Sequence, residues 1–441
     1  MDPANIGVAL LILTLSLLAL RVPVAFVVGG VGAVGTFLIH ATSGDGGIFD
    51  LAMNLTGPIL LSTALDLPRA VDLAIVPLMI LLGNVAFYAG IATRIYDAAA
   101  IWLRPLRGGL AMAAVVGCGG FSAISGSSIA CASTMGRICV PEMLRLGYDP
   151  RLATASVAVG GTLGSLIPPS VLFILFGIFT ETSIARLFLA GVLPGLLSLA
   201  GMVAVVAWWV GQNPKDAPAG TVDKASRIDA ALAIWPALLL FAMIVGGILL
   251  GFSATAAVTA CVMLTLVIGF IQSRLTADVL WQAIRESLLQ SAVILLIVVA
   301  AKVFFGFVIL TGLPDAALGW AQDAALSYFV MIAVVIITYL ILGMFLEPIA
   351  ILILTLPFLL PLVEAYGMDP IWFGVIVVKL LEIGLITPPV GLNVFVIGNV
   401  TRDVGIDRIF AGVSRFLAID VLVLLILILF PIISTILAGA M

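Results

Sequence analysis

The residues in this chain with types and spacing suited to chemistry are hydroxyls and helix breakers set inside apolar sequence. Residues 123–143, AISGSSIACASTMGRICVPEM, carry Ser125, Gly126, Ser127 and Ser128 just after Gly117, Gly119 and Gly120. Two other segments, GGTLGSLIPPS at 160–170 and EIGLITPPVGLN at 382–393, each hold a double proline. Proline lacks an N–H and clashes with the preceding turn, so each pair interrupts a helix and frees carbonyls. Freed carbonyls and hydroxyls make a hard oxygen cage suited to a small cation such as Na⁺, and the N-termini of restarted half-helices suit a carboxylate. The side-chain candidates are Ser125, Ser127, Ser128 and Thr162 with Thr387 and Asn393. Backbone at Gly126, Gly161, Gly343 and Gly391 can add to them.

The elements that must position these groups are membrane helices. The 441 residues are 63% hydrophobic and 10% charged, against about 45–50% and about 25% in soluble domains. Apolar runs of about 20 residues, enough to cross a bilayer, recur along the whole chain. The class is an all-α polytopic membrane protein. A net charge of −4 with no basic block excludes a nucleic-acid partner. The four cysteines lack metal-ligand spacing and read as small packing residues. Hydropathy places spans near 4–20, 24–40, 73–92, 152–180 and 187–211, then near 230–251, 253–272, 288–311, 370–400 and 412–438. A polar linker, 212–229, separates the two sets.

The two halves, 1–211 and 230–441, match each other. GYDP at 147–150 recurs as GMDP at 367–370, and Pro141, Gly164 and Pro168-Pro169 match Pro361, Gly384 and Pro388-Pro389 at the same shift of 220. Residues 94–151 carry six arginines against three acids, whereas 303–378 carry no lysine or arginine and five acids. Short cytoplasmic loops collect Lys and Arg, so the equivalent regions face opposite sides. Five spans per half, an odd number, invert the second copy, and inverted repeats are characteristic of secondary transporters. Residues 108–136 are apolar yet bracketed by arginines at both ends, which predicts a re-entrant hairpin with its tip at Ser125–Ser128. Its counterpart is expected at about 327–360, with its tip at LGMFLEP, 342–348. Non-helical backbone at membrane depth survives only inside protein or along a watery cavity, so the tips mark an interior site.

Three intramembrane charges bear on that site. Lys379 and Glu382 are three apart and are expected to pair on one helix face. Glu347 sits at the second tip without a near basic residue and is read as functional. Lys302 aligns with Asn84 of the first half and either snorkels or holds the site's field.

The block SGSSIACASTMGRICVPEMLRLGYDPRLATASVAVGGTLGSLIPPS resembles the hairpin-and-broken-helix region of the large membrane subunit of TRAP (tripartite ATP-independent periplasmic) transporters. GMFLEPIAILILTLP and GLITPPVGLNVFVIGNVT resemble the family's second-half blocks, and the likeness covers essentially the whole chain. STMGR departs slightly from the commoner threonine-isoleucine-glycine form. The resemblance implies an elevator-type member of the ion transporter superfamily, driven by a Na⁺ gradient, in the bacterial inner membrane. It also implies a small four-helix membrane subunit and a periplasmic binding protein that delivers an organic acid. With the residue reading, it assigns Na⁺ to Ser125, Gly126, Ser127, Thr162, Gly343, Thr387, Pro388 and Gly391. It assigns substrate to Ser127, Ser128, Gly161, Pro168, Pro169, Glu347, Pro389 and Asn393.

Other classes fit less well. AISGSS approaches the Gly-x-Ser-Gly of an intramembrane hydrolase, but Ala123 stands where glycine should be and the single histidine, His40, ends an early span. No enzyme is expected. No Gly-x-x-x-x-Gly-Lys-Ser/Thr loop occurs, so no nucleotide is expected either. A stand-alone carboxylate/Na⁺ symporter of related fold remains the alternative.

Overall fold

The computed structural model describes residues 2–42, 56–58, 71–218 and 227–440. The centre of the expected linker, 219–226, lies outside the described residues. The chain runs α1 (Pro3–Ala19), α2 (Val24–Thr42), α3 (Ile75–Tyr88), α4 (Ile91–Leu103), α5 (Gly109–Ser125), α6 (Ser128–Arg145), α7 (Pro150–Gly160), α8 (Val171–Thr180) and α9 (Ile184–Gln212). A short α10 (Arg227–Ala233) leads to α11 (Trp235–Leu249), α12 (Ala254–Ile271), α13 (Ala277–Leu310), α14 (Leu313–Asp323) and α15 (Tyr328–Gly343). Then come α16 (Pro348–Ala365), α17 (Pro370–Gly384), α18 (Leu392–Val400) and α19 (Ile406–Leu429).

Helix starts follow from local chemistry. Asp149 and Asp369 each precede a proline, and each carboxylate accepts from the N–H two residues on, Arg151 at 2.8 Å and Ile371 at 2.7 Å. An Asp N-cap followed by Pro at the first helical position satisfies an orphan donor and presets φ. Ser127, Ser170, Ser253, Thr276 and Ser327 cap α6, α8, α12, α13 and α15 in the same way.

Among the described residues, eight helical stretches are long and apolar enough to cross a membrane, or nine if the bent pair α3 and α4 counts as one. The pair bends by 60°, which turns α4 away from the span. Side chains on the outside are apolar, such as Phe26 at 68% exposed and Ile271 at 78%, as expected where the surroundings are hydrocarbon rather than water.

The helices pack in two groups. In one, α2 lies along α13, α3 packs on α12 and α13, α11 on α12, and α1 on α2. Small residues permit the close approach: a Cβ added at Gly32 would lie 2.9 Å from Phe304 Cα. In the other, α5, α6 and α7 pack on one another, α19 packs on α7 and α9, and α18 on α6 and α7; α15 packs on α17. Contacts of α3 with α5 and of α13 with α16 join the groups.

The second group holds an ion pair at its centre. Lys379 and Asp420, each 1% exposed, are hydrogen-bonded between α17 and α19, and Lys379 Nζ donates to Ser198 Oγ of α9 at 3.2 Å. This corrects the expected Lys379–Glu382 pair. Spacing along one helix shows which partners are reachable, but a second helix supplied a better one. Removing one partner strands a buried charge, at a cost of about 3–5 kcal/mol, whereas replacing both with apolar groups can be neutral. Asp420→Asn should therefore lower the thermal midpoint in detergent micelles substantially, and Lys379→Met with Asp420→Leu should recover most of the loss. A single variant as stable as the parent would contradict this account.

Candidate functional site

The helix pairs α5–α6 and α15–α16 each double back over a short turn, and each turn abuts a broken helix. The pairs span Gly109–Arg145 and Tyr328–Ala365, and their second arms run as regular helix to the next Gly-x-Asp-Pro turn. The breaks fall at the double prolines, between α7 and α8 and between α17 and α18; both Pro–Pro bonds are cis.

The first turn is built onto the first break. Gly126 ends α5 with φ +61°, and a Cβ there would lie 2.4 Å from the Pro169 carbonyl oxygen. Only glycine meets both demands. The Gly126 carbonyl accepts from Val171 N at 3.1 Å, so the first turn satisfies an orphan donor at the start of α8. Pro168 and Pro169 cannot donate to the carbonyls of Gly164 and Ser165, which leaves acceptors at the break.

A serine–carboxylate cluster then ties the first turn to the second half. Ser128 Oγ donates to the Glu382 carboxylate, 2.7 Å from Oε1 and 2.9 Å from Oε2, and lies 2.8 Å from Ser165 Oγ. All three residues are buried. Asn393 crosses in the other direction, donating from Nδ2 to the Ala158 carbonyl at 3.2 Å. At the second turn, Gly343 and Gly384 meet backbone to backbone: a Cβ on Gly384 would lie 2.8 Å from Gly343 Cα. Two buried oxygens at these turns and breaks, Ser125 Oγ and Asn393 Oδ1, have no hydrogen-bond partner among the described residues.

A cavity of about 850 Å³ opens beside the first turn, between α6 on one side and α3 and α13 on the other. Of the residues singled out in the sequence, Ser125, Gly126, Ser127, Ser128 and Glu347 line it together. The rest are not among its lining residues. Thr162 Oγ1 donates to Val159 O and Thr387 Oγ1 to Ile383 O, so each hydroxyl proton is spent within its own helix. Gly161 packs on Ala132, and Gly391 starts α18 at φ +57°. Pro168, Pro169, Pro388 and Pro389 form the bends themselves. Lys302 lies apart, in a second cavity of about 700 Å³ with Glu181.

Sequence reading passed over Ser165, Glu382 and Arg137 as site residues. Ser165 was legible, since it lies inside the first break segment. Glu382 was hidden by its spacing from Lys379, and Arg137 by its distance of nine residues from Ser128.

Comparison with known proteins gives the family. Residues 11–433 match the family model described as the tripartite ATP-independent periplasmic transporter, DctM component. The chain is 37% identical over 335 residues to the C4-dicarboxylate TRAP transporter large permease protein DctM of Pseudomonas aeruginosa, covering 74% of this chain and 77% of that one. It is 31% identical over 361 residues to the sialic acid TRAP transporter large permease protein SiaM of Vibrio cholerae, covering 81% and 83%. The Alcanivorax borkumensis YdaH transporter shares the fold, with a TM-score of 0.61 at 16% identity over 100% of this chain and 98% of that one. These relatives are transporters and permeases rather than enzymes, and so is this multi-pass membrane protein. With a family match spanning nearly its whole length, the chain belongs to the DctM family, the large membrane subunit of TRAP transporters.

Proposed function

We propose that this subunit forms the translocation path for a small organic acid, coupled to Na⁺ and supplied by a periplasmic binding protein. It works beside a small four-helix subunit in the bacterial inner membrane. The observation that carries the reading is the serine turn at the cavity wall, with an unpartnered buried hydroxyl at Ser125 and a carboxylate, Glu382, one hydrogen bond behind Ser128. Relatives named for C4-dicarboxylate and sialic acid support an organic-acid cargo.

The donor set fits Na⁺. Ser125 Oγ and Asn393 Oδ1 are buried oxygens without a donor, and a buried unpartnered acceptor is costly unless something fills its place. The ion's candidate ligands are Ser125, Gly126, Ser127 and Thr162 at the first break, and Gly343, Thr387, Pro388 and Gly391 at the second. Bound Na⁺ supplies positive charge beside the organic anion. Ser128, Ser165 and Glu382 hold the first turn in register, and the first-turn N–H groups of α6 face the substrate.

The architecture is read as two inverted repeats, 1–211 and 230–441. Helices α1–α9 recur as α11–α19 in the same order, and matching Asp-Pro caps at Asp149 and Asp369 precede both broken helices. The two turns are accordingly read as re-entrant, entering from opposite sides. The cavity lies between the two packing groups, which supports an elevator motion of α5–α9 with α15–α19 against α1–α3 with α11–α13.

Proteoliposomes holding the complex should take up acid only with inward Na⁺ and loaded binding protein. Radiolabelled uptake with choline in place of Na⁺ at fixed pH measures this. Full uptake without Na⁺ would refute the coupling, and uptake without binding protein would favour a stand-alone symporter. Ser125→Ala should raise the Na⁺ concentration for half-maximal uptake by about ten-fold, the effect of one ligand bond. Topology has its own check: single cysteines replacing Arg104 and Arg145 should label from the cytoplasm, and those replacing Asp323 and Glu364 from outside. Labelling of all four from one side would remove the inversion.

A further inference from the structure

One cation in the cavity wall takes no part in the serine turn. Arg137 of α6 opens into the cavity and is the only lysine or arginine among its described lining residues. Its own helix offers no partner: three and four positions away stand Ser133, Thr134, Val140 and Pro141, the places a helical side chain reaches. The next acid along, Glu142, is bonded to Arg104 at 3.0 Å. Across the cavity, Glu286 of α13 already accepts from the Tyr88 hydroxyl at 2.8 Å and from Gln282 at 3.3 Å. No ion pair to Arg137 exists among the described residues. Arg137 is exposed on the open cavity, so its guanidinium is free to meet a soluble anion there.

The far end of the same cavity offers a second anion site. There α6 begins, with N–H groups that lack intrahelical acceptors and the positive end of the helix dipole. Beside it Ser125 lines the cavity, 9% exposed, with its buried Oγ unpartnered among the described residues. Ile129, Ser133 and Arg137 recur every four residues, and all line the cavity. From Ile129 to Arg137 is about 12 Å of helical rise, and helical side chains lean toward the N-terminus, which shortens the gap. Two anion sites on one helix face, with a continuous cavity between them, match one extended molecule with two acidic groups.

We propose that Arg137 is a specificity-determining residue that binds the distal carboxylate of a dicarboxylate whose proximal carboxylate sits at the N-terminus of α6. This rests on the organic-acid reading above. A guanidinium binds a carboxylate through two parallel N–H bonds, which a lysine cannot reproduce.

The test uses membrane vesicles containing the full chain, with two readouts besides transport. One is modification of Arg137 by phenylglyoxal, followed by mass spectrometry of the peptide that carries it. The other is alkylation of the thiol in the Ser133→Cys variant, the four native cysteines being buried. Succinate or glutarate in Na⁺ should slow both reactions, and butyrate at equal concentration should slow neither. Arg137→Gln should raise the diacid concentration for half-protection of the thiol about ten-fold, leave the Na⁺ midpoint in place, and be rescued only partly by Arg137→Lys. Equal diacid protection with and without Arg137 would overturn this assignment and leave the organic-acid reading standing. Protection by butyrate equal to that by succinate would also overturn it. If no organic anion protects the thiol, both readings fall. Should the Gln variant fail to accumulate, phenylglyoxal protection in the parent chain and the Lys variant decide.

Discussion

The structure depends on how backbone polar groups freed inside a bilayer find partners. No water reaches the hydrocarbon, so an unpaired N–H or C=O there costs several kcal/mol. This chain breaks two helices with double prolines and turns two helix pairs back on themselves, which multiplies such groups. It resolves them by setting each turn against a break. Gly126 O receives the Val171 N–H, Asn393 Nδ2 finds Ala158 O, and Gly343 lies flush on Gly384. Interior glycine is otherwise a poor helix former; here the missing Cβ is what allows the contact.

The two halves are also joined chemically at their centre. Ser128 belongs to the first turn and Glu382 to the second broken helix, and they share a hydrogen bond 254 residues apart in sequence. Lys379, one turn before Glu382, is anchored to Asp420 and Ser198 instead. The arrangement separates two duties on one helix. The Lys379–Asp420 pair locks α17 into the body, which leaves Glu382 to hold the serine turn. Buried ion pairs add little net stability, but breaking one strands a buried charge.

The cavity is asymmetric in a way that follows from the helices around it. The α6 wall carries hydroxyls and Arg137, whereas the α13 wall carries Gln282, Glu286 and Gln290 at four-residue intervals. One wall belongs to the group that holds the turns and breaks; the other belongs to the group that frames it. A polar stripe along α13 thus lines one side of the cavity.

Much of this was legible in the residues alone. The apolar runs placed α1, α2, α11 and α12 within a few residues, because span length is set by bilayer thickness. The Pro-Pro signals placed both breaks, because proline acts locally. The serine turn was visible for the same reason. What the sequence could not decide was partnership across helices. Lys379 and Glu382 look like a pair at a spacing of three, yet each turned to a residue on another helix. The Thr162 and Thr387 hydroxyls donate to backbone carbonyls of the preceding turn, Val159 O and Ile383 O, which only the folded chain shows. Arg137 reads in the sequence as one of the arginines bracketing 108–136, and only the fold shows that it lines the cavity. Local signals determine where a helix starts, stops or breaks; which side chains meet is set by the packing of distant segments, and only the tertiary structure decided that.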